Sequence, residues 1–332
     1  MLAAHILAPH STSVHDSPTP QVGDYDVLIN VKNAGICGTD IHILKGEYPL
    51  ANFPVIPGHE FSGVVSAVGA EVRNIAVGDR VTADPNVACN RCYYCQRNRQ
   101  NQCERLKVIG VNCHGAFAQQ IAIDESAVFP IGEISFAAAA LIEPLACVLW
   151  GLKQVQIQAG SEMLILGAGP MGCLMMQAAK RSGAAWVGMV DVSPTRLALA
   201  ASLGADATLL TSELDDSAYQ YAFDVVADAT GVPKVIESTP NYVRSGGTIW
   251  VFGVAPDDAH IALSPADIFR RDLRIIGSFA VNKTFQESIA LVNAGGVQLE
   301  PLISHRLPLN AFAEALDIAQ FDEQRMKVQF EL

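Results

Sequence analysis

The eight cysteines stand at positions 37, 89, 92, 95, 103, 113, 147 and 173. Four of them, Cys89, Cys92, Cys95 and Cys103, fall in one short polar stretch with spacing C-x2-C-x2-C-x7-C. In an intracellular chain, thiols grouped this tightly point to a metal before a disulfide. Four thiolates complete the tetrahedral shell of zinc and leave no position for a substrate, so such a metal would be structural. An iron–sulfur cluster uses similar ligands, and so does a zinc-ribbon nucleic-acid module.

A second set of soft and borderline ligands is spread over two segments, Gly35-Ile36-Cys37-Gly38-Thr39-Asp40-Ile41-His42 and Gly58-His59-Glu60. Cys37 offers a sulfur and His59 a nitrogen. A catalytic zinc needs three protein ligands and an open position. The third ligand is either Glu60 or Glu143. Glu143 lies between the apolar runs 137–142 and 145–149, where an unpaired carboxylate would be costly to bury and a metal would compensate it.

The third chemical signal is Gly167-Ala168-Gly169-Pro170-Met171-Gly172, directly after Leu164-Ile165-Leu166. This is G-x-G-x-x-G at the end of an expected strand and the start of an expected helix. The first glycine permits a tight turn, the second lets backbone approach a pyrophosphate, and the third allows helix and strand to pack closely. The helix N-terminus then presents free N–H groups to phosphate. Asp191 follows Gly172 by 19 residues, where an acidic residue accepts hydrogen bonds from the adenosine ribose. Its charge repels a 2′-phosphate, so NAD is expected over NADP. Arg196 is grouped with these residues as a cofactor contact.

These residues need elements to hold them. Residues 25–36 and 61–70 alternate with period two and read as strands, and 78–82 as a turn into a third. The first 130 residues are β-rich with Pro and Gly punctuation. Residues 135–155 read as helical. From 162 onward strands (163–166, 186–190, 207–210, 225–228, 248–252, 274–277) alternate with helices (171–182, 195–203). That order implies a parallel sheet with helices on both faces. One further helix, 285–293, precedes a mixed ending.

A length of 332 residues suits two domains. The formal charge of −12, from 22 Lys+Arg against 34 Asp+Glu, argues against nucleic-acid binding, which needs a cationic face. The apolar stretch 136–152 is interrupted by Glu143 and Pro144. Its counterpart 163–179 holds three glycines, a proline and Gln177. Neither reads as a membrane span. The N-terminus lacks the basic and apolar regions of a signal peptide, so a cytoplasmic location is expected.

Taken together, Gly35–His42, Pro57-Gly58-His59-Glu60, Gly78-Asp79-Arg80-Val81, the four-cysteine lobe and Gly167–Gly172 with Asp191 resemble the zinc-containing medium-chain alcohol dehydrogenase family over essentially the whole chain. The resemblance implies an α/β protein: a GroES-like β-rich catalytic domain (1–146 and 281–332) carrying a structural zinc lobe at about 86–105, and a Rossmann doubly wound parallel-sheet domain (147–280) that binds NAD. It places the active site in the cleft between the two domains, and implies a homodimer or homotetramer. Within the family, Glu143-Pro144-Leu145 is similar to the sorbitol and arabinitol dehydrogenase branch, which implies a polyol substrate. Sorbitol dehydrogenases carry an Arg-Tyr pair after a Gly-x-Phe segment, whereas Gly277-Ser278-Phe279 is followed here by Ala280 and Val281. That leaves arabinitol-like polyols, diols and secondary alcohols open. By resemblance, zinc acts on the alcohol oxygen as a Lewis acid. The proton leaves through Thr39, the nicotinamide ribose and His42, and hydride goes to the nicotinamide. Threonine, butanediol and sugar-phosphate dehydrogenases share the scaffold, and a non-catalytic nucleotide-binding protein is the alternative outside enzymology.

Overall fold

The computed structural model describes residues 1–214 and 217–332. It divides into two compact units, the first comprising 1–146, 281–293 and 299–332, the second 147–280 and 294–298.

The first unit begins with an antiparallel pair, β1 (Leu2–Ala8) and β2 (Ser11–Asp16). It continues through β3 (Asp26–Gly35), α1 (Gly38–Lys45), β4 (Glu60–Val68), β5 (Arg80–Ala83), β6 (Asn86–Val87), β7 (Lys107–Val108), β8 (Gln120–Asp124), β9 (Val128–Pro130) and α2 (Phe136–Ala139). α3 (Ile142–Val155) then leads into the second unit. The alternation read in residues 25–36 and 61–70 reflects real half-buried strands, β3 and β4, which pair antiparallel. α1 is an element that the sequence reading did not give, because eight residues with mixed polarity carry no clear helical period.

The run 136–155 requires a correction. By length and composition it is able to cross a membrane, with a mean hydropathy of 1.5. The run holds two helices, α2 and α3, and Pro144 does not break the second, because it sits in the first turn of α3, where its missing N–H has no intrahelical partner to lose. Of this window, 72% is buried inside the protein, which is how a core helix satisfies the same test.

The second unit contains β10 (Glu162–Leu166), α4 (Pro170–Arg181), β11 (Trp186–Asp191), α5 (Pro194–Ser202), β12 (Ala207–Leu210), β13 (Phe223–Asp228), α6 (Pro233–Ser238), β14 (Val243–Val251), α7 (Pro265–Arg270) and β15 (Arg274–Gly277). All five strand pairings are parallel and the order is β12-β11-β10-β13-β14-β15. This is the doubly wound Rossmann order, with its reversal between β10 and β13. β14 begins five residues before the expected strand, because the polar stretch Arg244-Ser245-Gly246-Gly247 conceals the pairing of Val243 with Phe223. Leu164, Val190, Val226 and Ile249 form the heart of its core.

The chain then returns to the first unit with α8 (Phe285–Asn293), β16 (Ile303–Pro308), α9 (Phe312–Phe321) and β17 (Lys327–Glu331). The expected mixed ending resolves into these elements. β17 pairs antiparallel with β3 and completes the seven-stranded sheet. Phe117, Phe312 and Phe330 pack at 4.9 to 5.8 Å between ring centroids beneath it. Residues 294–298 belong to the second unit because Gln177 exchanges two hydrogen bonds with the Gln298 backbone, at 2.8 and 3.1 Å.

Candidate active site

Cys37 is the N-cap of α1, and its N–H donates to Asp40 Oδ2 at 2.8 Å. The other Asp40 oxygen accepts from Gly58 N–H at 3.2 Å. One buried carboxylate therefore ties the loop bearing Cys37 to the loop bearing His59. His59 Nδ1 lies 3.7 Å from the same Asp40 Oδ1. Glu60 opens β4 opposite Gly35 of β3. A Cβ at position 35 would come within 2.4 Å of Glu60 Oε2, so glycine there is what lets the carboxylate lie across the strand.

The result is a group in which Cys37, His59 and Glu60 each offer a ligand atom, all within 4.8 Å of one another. His59 and Glu60 are buried. His59 Nδ1 is buried without a hydrogen-bond partner, which is costly for a group of this polarity, while the Glu60 carboxylate is met by the Lys327 ammonium at 2.7 Å. A thiol, an imidazole and a carboxylate are the donor types zinc takes, so these residues fit the ion that the sequence implied. Glu143 lies outside that group of three, in the first turn of α3, and is buried. Its charge nonetheless acts on His59 and on Lys327. Burial alone would lower the His59 pKa, but Asp40, Cys37 and Glu143 outweigh it and hold the imidazole well above its ordinary value. Asp40 is pushed up by its own burial, against the opposing charge of His59.

Thr39 and His42 lie three residues apart on α1, one turn from each other. Thr39 Oγ1 is 3.7 Å from Cys37 Sγ. The helix ends at Gly46, whose left-handed φ of 74° turns the chain back. Glu47 N–H consequently donates to His42 O at 2.9 Å, and its carboxylate meets His42 Nδ1 at 2.8 Å.

Cys89, Cys92, Cys95 and Cys103 converge so that their sulfurs lie within 4.8 Å of one another. Backbone N–H groups of Cys89 and Arg105 donate to Cys103 Sγ at 3.3 Å. The N–H of Arg91 holds the Cys89 thiol down at about 6, and burial pushes Cys95 up to about 12. The apolar cluster of this lobe consists of Cys92, Cys95 and Cys103 with Ala88, Cys89 and Leu106 against them. A lobe whose core is its own sulfurs suits a metal as its organising centre.

In the second unit, Gly169 is the N-cap of α4, and Pro170 and Met171 open that helix. A Cβ on Gly169 would meet nothing within 4 Å, whereas one on Gly172 would stand 1.9 Å from Gly167 O. The open space above Gly169 is the cradle a pyrophosphate needs, and the contact at Gly172 is the close helix–strand approach. Asp191 ends β11, where Oδ2 accepts from Ala168 N–H at 2.7 Å and Oδ1 from Ser193 N–H at 2.9 Å. Its carboxylate is therefore fixed beside the glycine loop. Arg196 lies in the first turn of α5, and its charge acts on the Cys173 thiol of α4. Asp228, at the end of β13, is fully buried and accepts from Thr230 N–H and Gly231 N–H at 3.0 and 3.1 Å.

Sequence reasoning missed Asp40, Glu47, Asp228 and Lys327. For Asp40 a signal existed, since an acidic residue three positions after a helix start is a capping pattern. For Lys327 there was none, because its partner Glu60 is 267 residues away.

The alcohol dehydrogenase GroES-like domain matches residues 23–133, and the zinc-binding dehydrogenase domain matches 170–294. The chain is 35% identical to a D-arabinitol dehydrogenase of Uromyces fabae, over 96% of this chain and 93% of that one. It is 40% identical to a D-altritol 5-dehydrogenase of Agrobacterium fabrum, over 91% of each. A crystal structure of a zinc-binding dehydrogenase from Sinorhizobium meliloti, bound to NADP, superposes with a TM-score of 0.96 at 34% identity, covering 100% of this chain and 99% of that one. With a Rossmann sheet and a GroES-like sheet in one chain, the protein is an oxidoreductase of the medium-chain type. It belongs to the zinc-containing medium-chain dehydrogenase family, in the group that includes the polyol dehydrogenases.

Proposed function

We propose that this chain interconverts a secondary alcohol of a polyol and the corresponding ketone, with NAD as the hydride carrier and zinc held by Cys37, His59 and Glu60. One observation carries the reading: a thiol, an imidazole and a carboxylate meet within 4.8 Å of one another, with His59 Nδ1 buried and left without a hydrogen bond. When bound, zinc supplies Lewis acidity toward an alcohol oxygen and the nicotinamide supplies a hydride acceptor. Cys89, Cys92, Cys95 and Cys103 hold the second, structural zinc.

The residues of the chain supply orientation and proton handling. Asp40 fixes the Cys37 and His59 loops relative to each other, as buried carboxylates behind metal-binding histidines do. Thr39 Oγ1, close to Cys37 Sγ, would accept the hydroxyl proton of the substrate while its own proton passes on toward His42. The Glu47 carboxylate accepts from His42 Nδ1–H, which leaves Nε2 to take a proton and release it to solvent. Glu143 adds a second carboxylate near His59 and, with Pro144 and Leu145, marks the polyol branch. Asp191 places a fixed negative charge beside the glycine loop, which favours NAD over its 2′-phosphorylated form. A cytoplasmic homodimer or homotetramer belongs to the same reading.

The test is a substrate panel of pentitols, hexitols, 2,3-butanediol, sugar phosphates and L-threonine. It is run on zinc-replete protein with NAD and NADP and followed by absorbance of the reduced nicotinamide. Turnover of polyols with NAD is expected. Strong turnover of L-threonine with none of pentitols would overturn the substrate class, and cofactor binding without any turnover would favour a non-catalytic nucleotide-binding protein.

A further inference from the structure

Lys327 is the first residue of β17 and is 5% exposed. Its Nζ donates to Ile36 O at 3.2 Å, one residue before Cys37. It also hydrogen-bonds Glu60 Oε1 at 2.7 Å and stands equally close to Oε2. Burial opposes the ammonium, while the Glu60 carboxylate touches it and Cys37 and Glu143 act on it by charge. A cation buried this deeply persists only against anions, and here those anions are candidate metal donors and their neighbour.

A carboxylate shared between an ammonium and a metal ion is a weaker donor to the metal than a free one, since the charge-assisted hydrogen bond occupies the same lone pairs. The ammonium also repels the ion. We propose that Lys327 is a positioning residue of the metal centre. It holds Glu60 by both carboxylate oxygens, competes with zinc for that ligand, and so keeps Glu60 an exchangeable rather than a permanent member of the coordination sphere. This rests on the metal reading given above. The role falls to the C-terminal strand because β17 lies beside β3, which places position 327 next to the end of the strand that leads into Cys37.

The experiment follows zinc release from the full-length, zinc-loaded protein into a chromophoric chelator. The phase absent from Cys37→Ser identifies the candidate catalytic site. Lys327→Met is expected to slow that phase by about tenfold or more, within the ~10–100-fold range that groups behind metal ligands exert on affinity. Release from the four-cysteine lobe stays unchanged, and turnover falls. Lys327→Arg, which keeps the charge, is expected to restore the wild-type release rate. Lys327→Gln removes the charge but keeps a donor for Ile36 O and Glu60, and is expected to slow release even if the apolar variant does not fold. A lysine that merely buttressed the fold would give the opposite sign, faster release with a lowered melting temperature. Unchanged or faster release from folded Lys327→Gln therefore overturns the inference alone. If the wild-type protein shows no phase that Cys37→Ser lacks, the metal reading falls and this inference with it.

Discussion

At the scale of single residues, function rests on what is denied to a side chain as much as on what it contacts. His59 Nδ1 is buried without a hydrogen bond, whereas Asp40, a few ångströms away, is engaged by two backbone N–H groups. The contrast separates a candidate ligand from its support. Asp191 shows a second kind of constraint. Both its oxygens accept backbone N–H groups, so the backbone holds the carboxylate in place. Replacing it with asparagine keeps an acceptor for Ala168 and removes the charge. The ratio of kcat/KM for NAD to that for NADP is expected to fall by about tenfold, which corresponds to ~1.4 kcal/mol. A ratio unchanged by Asp191→Asn would mean that this carboxylate does not face the ribose.

At the scale of elements, the site depends on where strands and helices begin and end. Cys37 caps α1, Glu60 starts β4, Lys327 starts β17, and Asp191 and Asp228 end β11 and β13. Such positions have backbone groups that the ladder or helix leaves free, which is why chemistry gathers there. The junction of β5 and β6 carries a cost of the same kind. Burial pushes Asp84 up to about 6, against the bonds it accepts from Asn86. For an acid whose folded pKa exceeds its unfolded one, the native state binds the proton more tightly, so stability is lost as pH rises from about 4 to about 6. Asp84→Asn is therefore expected to stabilise the protein above pH 6, by at most roughly 3 kcal/mol, because a tenfold difference in proton affinity between the folded and unfolded chain corresponds to ~1.4 kcal/mol. Below pH 4 it should change little. Urea unfolding at pH 4 and pH 7.5 reads the difference, and an equal effect at both would show that Asp84 is already ionised without penalty.

At the scale of the whole molecule, the two expected zinc ions do different work. The four-cysteine lobe has a core made almost wholly of its own sulfurs, while the sheet of the first unit rests on Phe61, Phe117, Phe312 and Phe330. Metal analysis is expected to find two zinc ions per chain. Brief chelation is expected to abolish turnover with little change in melting temperature, and exhaustive chelation to lower that temperature as the lobe unravels. Turnover that survives loss of the first ion would remove the metal from the chemistry.

The sequence by itself determined the local features. Residues 163–191 carry strand, glycine loop, helix, strand and acidic end in order, and each is set by neighbours within a few positions. The four cysteines of the lobe are likewise local, because a shared metal needs only a short loop. Tertiary structure alone decided which carboxylate joins Cys37 and His59. Glu60 and Glu143 are equally suitable in composition, and the choice follows from the pairing of Gly35 with Glu60 across β3 and β4. It also decided the partner of Glu60, since strand pairing between β3 and β17 joins residues nearly 300 positions apart. Periodicity reports which face of a strand is buried, but not which strand lies beside it, and a buried charge finds its counterion only when that second fact is settled.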